Sequence, residues 1–244
     1  MVTKHQLKLI KSLAQKKYRQ ELGLFIVEGV KGIHEFLNSE FKLEALYTTE
    51  PIFDCPKHLL HEISELELNK MSMLKTPNKA LATFKIPKTK AINEEALIIA
   101  LDDVRDPGNL GTIIRLCDWF GVEDLVCNKS TVDCYNPKVI QASMGSLARV
   151  NITYLNLLEF CSQYKYEVIG TFMKGHNLYD SQIPQKEVIV FGNEANGISK
   201  SIKNLVSVKL AIPRFGENKE TESLNVATAA AIILGESRRQ SIGK

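Results

Sequence analysis

From residue 96 onward, short and largely apolar runs rich in β-branched residues alternate with stretches of helical period, and this alternation limits the fold more than any other feature. The apolar runs are Ala96–Leu101, Leu125–Cys127, Val150–Tyr154, Val168–Phe172, Val188–Val190 and Val206–Ile212. Helical patterns fall at Leu110–Phe120, Lys138–Leu147 and Leu157–Tyr164, and a last one runs from about Leu224 to Arg238. A strand that is apolar at every position is buried on both faces, and strands separated by helices run parallel. Residues 96–244 are therefore expected to form an α/β domain on a parallel sheet. The last helix is apolar nearly all round through Ala227–Leu234. It must be covered on more than one side, within the domain or by another subunit.

The first ninety residues carry a smaller pattern. Residues 4–20 predict one basic helix with Leu7, Ile10, Leu13 and Ala14 on a single face. A strand at Leu24–Val27, a helix at Val30–Asn38 and a strand at Leu43–Thr48 follow, then helix signals at His58–Ile63 and Glu65–Met73. The stretch Pro77–Glu95 holds two prolines, several lysines and few apolar residues, so it reads as a loop grading into a linker. Residues 1–90 are thus expected to be a small α/β domain. Lys4, Lys8, Lys11, Lys16, Lys17 and Arg19 all precede the first acid, Glu21. Such a segment either tracks a phosphate backbone or is simply a solvated helix face.

Composition excludes several classes. The 244 residues are 44% hydrophobic and 24% charged, the balance of an ordinary globular protein. No apolar run approaches the roughly eighteen residues a membrane span needs, and the basic N-terminus lacks the apolar stretch of a secretory signal. A cytoplasmic protein is expected. The five cysteines are odd in number and form no C-x-x-C pair, which argues against a disulfide framework or a zinc site. Cys117 and Cys127 sit in apolar surroundings and read as core thiols. His58 and His61 lack further ligand partners, so no metal is expected.

Three polar segments follow strand ends. The first runs from Leu101 through Asp102, Asp106-Pro107-Gly108-Asn109 to Arg115, where Asn109 can cap the next helix. Here Arg115 lies at the helix edge, where it could also pair with Asp118 or stack on Trp119. The second is Gly192-Asn193-Glu194-Ala195-Asn196-Gly197, whose glycines allow close approach of a ligand and whose Glu194 could equally be an exposed turn acid. The third is Ile212-Pro213-Arg214-Phe215-Gly216 running on to Ser223-Leu224-Asn225, with Ser223 a candidate helix cap. Gly108 and Gly111 have no third glycine at G-x-G-x-x-G spacing and no Gly-Lys-Ser/Thr follows, so a dinucleotide or P-loop reading fails.

In order, spacing and context, these segments resemble the motifs of the SpoU-type RNA ribose methyltransferases of the SPOUT superfamily. The resemblance covers roughly residues 97–235, including Asn136-Pro137-Lys138 and Ser143-Met144-Gly145. It implies a SPOUT domain with a deep trefoil knot that binds S-adenosylmethionine in a bent form. Gly192, Ile212 and Leu224, with Thr171, would contact the cofactor, while Asn109, Arg115, Glu194, Ser223 and Asn225 match the polar catalytic positions. It also implies a homodimer whose active site draws on both subunits. Tyr18-Arg19 and Phe25-Ile26-Val27-Glu28-Gly29 are similar to the N-terminal RNA-binding domain of many such enzymes, with Lys16, Lys17 and Arg19 as its RNA contacts. The implied reaction is ribose 2′-O-methylation of structured RNA, ribosomal RNA foremost. The same reaction on tRNA, or a non-catalytic RNA-binding protein on the same fold, are the alternatives. One departure is the acidic stretch Glu217–Glu222, longer than the usual family loop.

Overall fold

The computed structural model describes residues 2–216 and 223–242, so the acidic stretch Glu217–Glu222 lies outside the described residues. Packing divides the chain into one unit of Met1–Lys88 with Asp133–Arg149 and another of Thr89–Val132 with Val150–Lys244.

The first unit begins with α1 (Lys4–Ser12) and α2 (Lys16–Leu22), followed by β1 (Leu24–Glu28), α3 (Val30–Leu37), β2 (Leu43–Thr48), β3 (Leu60–Glu62), α4 (Glu65–Met71) and β4 (Ala80–Lys85). Its sheet runs β1-β4-β2-β3, with β4 antiparallel to both neighbours. Strand β1 is buried on both faces. Leu24 and Ile26 pack with Ile10, Leu13, Tyr47 and Met71, whereas Phe25, between them in the pleat, meets Phe36 at 5.4 Å, Phe84 at 6.0 Å and Tyr135 at 4.7 Å. Aromatic pairs of this kind contribute about 0.5–1.5 kcal/mol each beyond burial. Tyr135 belongs to the segment Asp133–Arg149, whose helix Pro137–Ser143 packs on β1.

Three expectations change here. The single helix over 4–20 is two helices, broken at residues 13–15. Residues 60–62 are a strand, pairing in parallel with β2, not a helix. The expected loop after Pro77 contains β4, an inner strand of the sheet.

The break in the basic helix has a cause. Arg19 is 2% exposed. Its Nη1 donates to the carbonyls of Leu13 (2.8 Å) and Ala14 (2.9 Å), the residues at the break. Its Nε and Nη2 donate to Asp133 Oδ2 at 2.9 and 2.6 Å. A guanidinium committed in this way cannot reach a phosphate, so Arg19 is corrected from an RNA contact to a buried tie within the first unit. Lys16 and Lys17 of the same helix remain exposed.

The second unit continues with β5 (Ile98–Asp102), α5 (Pro107–Trp119), β6 (Asp124–Asn128), then α6 (the Pro137–Ser143 helix of the first unit), β7 (Asn151–Leu155), α7 (Leu157–Gln163) and β8 (Val168–Asn177). It ends with β9 (Val188–Gly192), α8 (Lys200–Lys203), β10 (Val208–Ala211) and α9 (Val226–Ser241). The sheet order is β10-β8-β9-β5-β6-β7, and every pairing is parallel. On one face Ile98, Ala100, Val126, Val188 and Val190 pack with Leu157 and Cys161 of α7 and with Ile202. On the other, α5 and α9 pack together and against strands β6 and β9. Burial on both faces is why the central strands β5 and β9 are almost continuously apolar, whereas the edge strands β7 and β10 carry polar residues. Cys117 and Cys127 are fully buried, and burial pushes the Cys117 thiol up to about 12.

Replacing Arg19 with Ala leaves Asp133 without its buried partner. The expected loss is about 3–5 kcal/mol of unfolding free energy, measured by urea denaturation, whereas Lys17→Ala should change it by less than about 0.5 kcal/mol.

Candidate active site

The sheet order reverses around β5 and β9, and a ligand crevice is expected at the carboxyl ends of strands at such a point. Asp102 closes β5 there and is only 4% exposed. Its Oδ1 accepts from Asn128 Nδ2 at 2.8 Å and its Oδ2 from the Ser199 N–H at 2.7 Å, tying the ends of β6 and of the β9 loop to β5. Asp103 follows with φ 68°, a left-handed conformation that costs a non-glycine residue about 1–2 kcal/mol. It is held by its N–H on Asn128 Oδ1 (3.0 Å) and by its carbonyl, which accepts from Asn193 Nδ2 (2.7 Å). Asp106 then caps α5 by accepting the Asn109 N–H at 2.8 Å, with Pro107 in the first turn, so Asn109 emerges at the helix start.

The β9 loop is a tight return. Asn193 and Gly197 exchange backbone hydrogen bonds of 3.1 and 2.8 Å. Asn193 Oδ1 accepts the N–H groups of Ala195 and Asn196, which leaves Glu194 at the exposed tip. Gly192 is dictated by space: a Cβ there would lie 2.2 Å from Gly197 C and Ile198 N. In the third segment the cap of α9 is Asn225, whose Oδ1 accepts from Ala227 and Thr228, rather than the expected Ser223 two residues earlier.

These three segments meet at Asn109. Its Nδ2 donates to Glu194 Oε1 at 2.7 Å, and its Oδ1 accepts from Asn225 Nδ2 at 2.9 Å. The directions are mutually enforced. The α9 amides hold Asn225 Oδ1, so its Nδ2 faces Asn109. A carboxylate only accepts, so Asn109 must turn its own Nδ2 to Glu194. An oriented carboxylate results, suited to receiving a hydroxyl proton or aligning a ribose.

Arg115 is not part of this chain. It is exposed on α5, six residues beyond Asn109 and so on another face of the helix, and makes no hydrogen bond or ion pair among the described residues. Trp119, one turn further, is 82% exposed. Thr171 is half-buried where β8 leaves β9, and its hydroxyl donates to the Val190 carbonyl at 3.0 Å. Gly192 is the last residue of β9, and Ile212 directly follows β10. Ser223 and Leu224 lie just ahead of α9, with Leu224 49% exposed and Phe215 also bare. Leu224 and Phe215 both leave apolar surface uncovered, of the kind an adenine ring can cover. Sequence reasoning missed Asp102, Asn128, Asn193 and Ser199 as the framework of the site.

Residues 96–235 match the SpoU rRNA Methylase family, and residues 4–82 match the MRM3-like substrate binding domain. The chain belongs to the SpoU rRNA Methylase family. Among its relatives, the 23S rRNA (guanosine(2553)-2'-O)-methyltransferase RlmP of Bacillus subtilis is 30% identical over 234 residues, 92% of each chain. A TrmH-family structure from Porphyromonas gingivalis superposes with a TM-score of 0.91 at 35% identity, over 98% of this chain and 99% of the other. The AdoMet-bound rRNA methyltransferase of Sinorhizobium meliloti superposes with a TM-score of 0.87 at 26% identity, over 100% and 97%. The all-parallel sheet and the segment order are those of this SPOUT methyltransferase fold.

Gly192→Ala forces the return of the β9 loop apart. An overpacking cost of about 1–3 kcal/mol is expected, seen as a lowered melting temperature together with weakened S-adenosylmethionine binding in calorimetry.

Proposed function

We propose that this chain transfers a methyl group from S-adenosylmethionine to a ribose 2′-hydroxyl of structured RNA, most naturally ribosomal RNA, as a cytoplasmic homodimer. The observation that carries this reading is the Glu194–Asn109–Asn225 chain at the carboxyl ends of a parallel sheet, in a member of the SpoU family. Bound S-adenosylmethionine supplies a methyl group already activated on a sulfonium, so the protein has only to position the hydroxyl and dispose of its proton. Thr171, Gly192, Ile212 and Leu224 would hold it, largely through backbone atoms. Asn109 and Asn225 fix Glu194, with Ser223 beside the cap as a further polar group. The first unit is the candidate RNA-binding domain, with Lys16 and Lys17 on phosphate. The names of the relatives favour ribosomal RNA over tRNA.

Arg115 is assigned to orienting the target phosphate and easing deprotonation of the hydroxyl, since a guanidinium with a pKa above about 12 is a poor base. Its place on another face of α5 from Asn109 supports a site completed by a second copy. The exposed Trp119 one turn away supplies apolar surface for that contact. Transfer of radiolabelled methyl from S-adenosylmethionine to total RNA, with mapping of the 2′-O-methyl sites, tests the reading; no label in any RNA refutes it.

Arg115→Ala should keep cofactor affinity and lower turnover about 10²- to 10⁴-fold, with Lys a poor substitute because the bidentate fork is lost. Mixing inactive Arg115→Ala and Glu194→Gln chains should restore part of the activity, which a site confined to one chain would not do. Neutralising Lys16 and Lys17 should reduce the log–log salt slope of RNA binding by roughly 0.7–0.9 for each phosphate no longer neutralised, with calorimetric affinity for the cofactor unchanged.

A further inference from the structure

A cavity of about 540 Å³ opens in the second unit at the carboxyl ends of β5, β6 and β7. Glu194, Asn109 and Asn225 are not in its lining. Its lining is apolar at Leu158 and at the edges of the nearly buried Leu157 and Ile202, and polar at Asn156, Ser199 and Ser201. Leu158 is 42% exposed there. Two carboxylates line it as well, but both are already engaged. Asp102 accepts from Asn128 and Ser199, and Asp103 accepts from Arg105 Nε at 2.8 Å. Asp102 thus has both oxygens engaged, and Asp103 already has a guanidinium beside it. The cavity offers hydroxyls and an amide that donate and accept, an apolar lining, and one ammonium, Lys129.

That combination matches a planar heteroaromatic ring with a polar edge and a phosphate at its mouth. The volume falls within the roughly 300–1,000 Å³ of small-molecule sites. The location ties it to the candidate active site. The loop that carries Glu194 at its tip carries Ser199 at its base, and is fastened to the floor of the cavity through Asp102 and Asp103. We infer that this cavity receives one unpaired nucleotide of the substrate RNA next to the target. Its base lies against Leu157, Leu158 and Ile202, and its phosphate meets Lys129. The inference rests on the methyl-transfer reading for the identity of the RNA, and it assigns the cavity a part in substrate selection. An occupied cavity braces the base of the Glu194 loop, so the correct neighbouring nucleotide would also steady the carboxylate that faces the target ribose.

Two measurements decide it. The first needs no activity: full-length protein is titrated with the common nucleoside 5′-monophosphates and with inorganic phosphate while the Leu and Ile methyl resonances are followed. At least one nucleotide should shift the signals of Leu157, Leu158 and Ile202, phosphate alone should not, and filling the cavity by Ser201→Trp should abolish the shifts. The second uses an in vitro transcript of large-subunit ribosomal RNA. Ser201→Trp should raise the KM for RNA about tenfold with cofactor affinity preserved, whereas the surface control Ser162→Trp should not. Lys129→Ala should lower the RNA salt slope by roughly 0.7–0.9. Methyl shifts with phosphate alone, no shifts with any nucleotide, or a wild-type KM in Ser201→Trp would overturn the inference. A wild-type protein that binds nucleotides in the cavity but methylates no RNA would overturn the methyl-transfer reading instead.

Discussion

The buried carboxylate of Asp102 is the constraint on which the second unit depends. It terminates an inner strand and, with one oxygen each, holds the loop after β6 and the loop after β9. A buried carboxylate left without partners costs several kcal/mol, so the two loops and the strand end are stable only together. The left-handed turn at Asp103 follows from this arrangement. Asn128 and Asn193 grip its backbone from both sides, and that grip offsets the strain. Everything chemical in the unit is built outward from this cluster of hydrogen bonds: α5 starts where Asp106 caps it, and the Glu194 loop leaves from Asn193.

The same logic of enforced direction governs the candidate active site. Neutral amides transmit orientation from the start of α9 to Glu194 without adding charge, so the carboxylate is aligned and, among the described residues, makes no ion pair. Arg115 on another face of α5, and Lys16 and Lys17 in the first unit, are exposed cations. Arg19 differs from the exposed lysines beside it. Though it lies in the basic run, its guanidinium is consumed by carbonyls and Asp133 and serves the fold.

Much of the second unit was legible because each of its signals is local. Continuous apolar runs mark strands buried on both faces, and the helices between them force parallel pairing. Asn109, Glu194 and Asn225 were legible through the segments that carry them. Less was legible in the first unit. The run Ala80–Lys85 holds a threonine and lies among prolines and lysines, so nothing local marks it as an inner strand; its burial comes from β1 and β2 on either side. Leu60–Glu62 carries too few residues to establish a period, and only its pairing with β2 makes it a strand. The helix over 4–20 has a sound amphipathic period. It is nevertheless interrupted at residues 13–15, where the carbonyls of Leu13 and Ala14 are satisfied by Arg19 rather than within a helix.

The sequence alone determined the α/β class, the parallel sheet, the position of the glycine-bearing return and the family resemblance, because propensity, burial pattern and motif spacing are properties of neighbouring residues. Tertiary structure alone decided which side chains share a hydrogen bond across 85 and 116 positions, that Asn225 rather than Ser223 caps α9, and that residues 133–149 pack with the first unit. It also decided that one arginine of a basic run is buried while its neighbours stay in water. Such outcomes are set by competition among distant partners for the same donors, acceptors and apolar surface, and that competition is resolved only when the chain closes on itself.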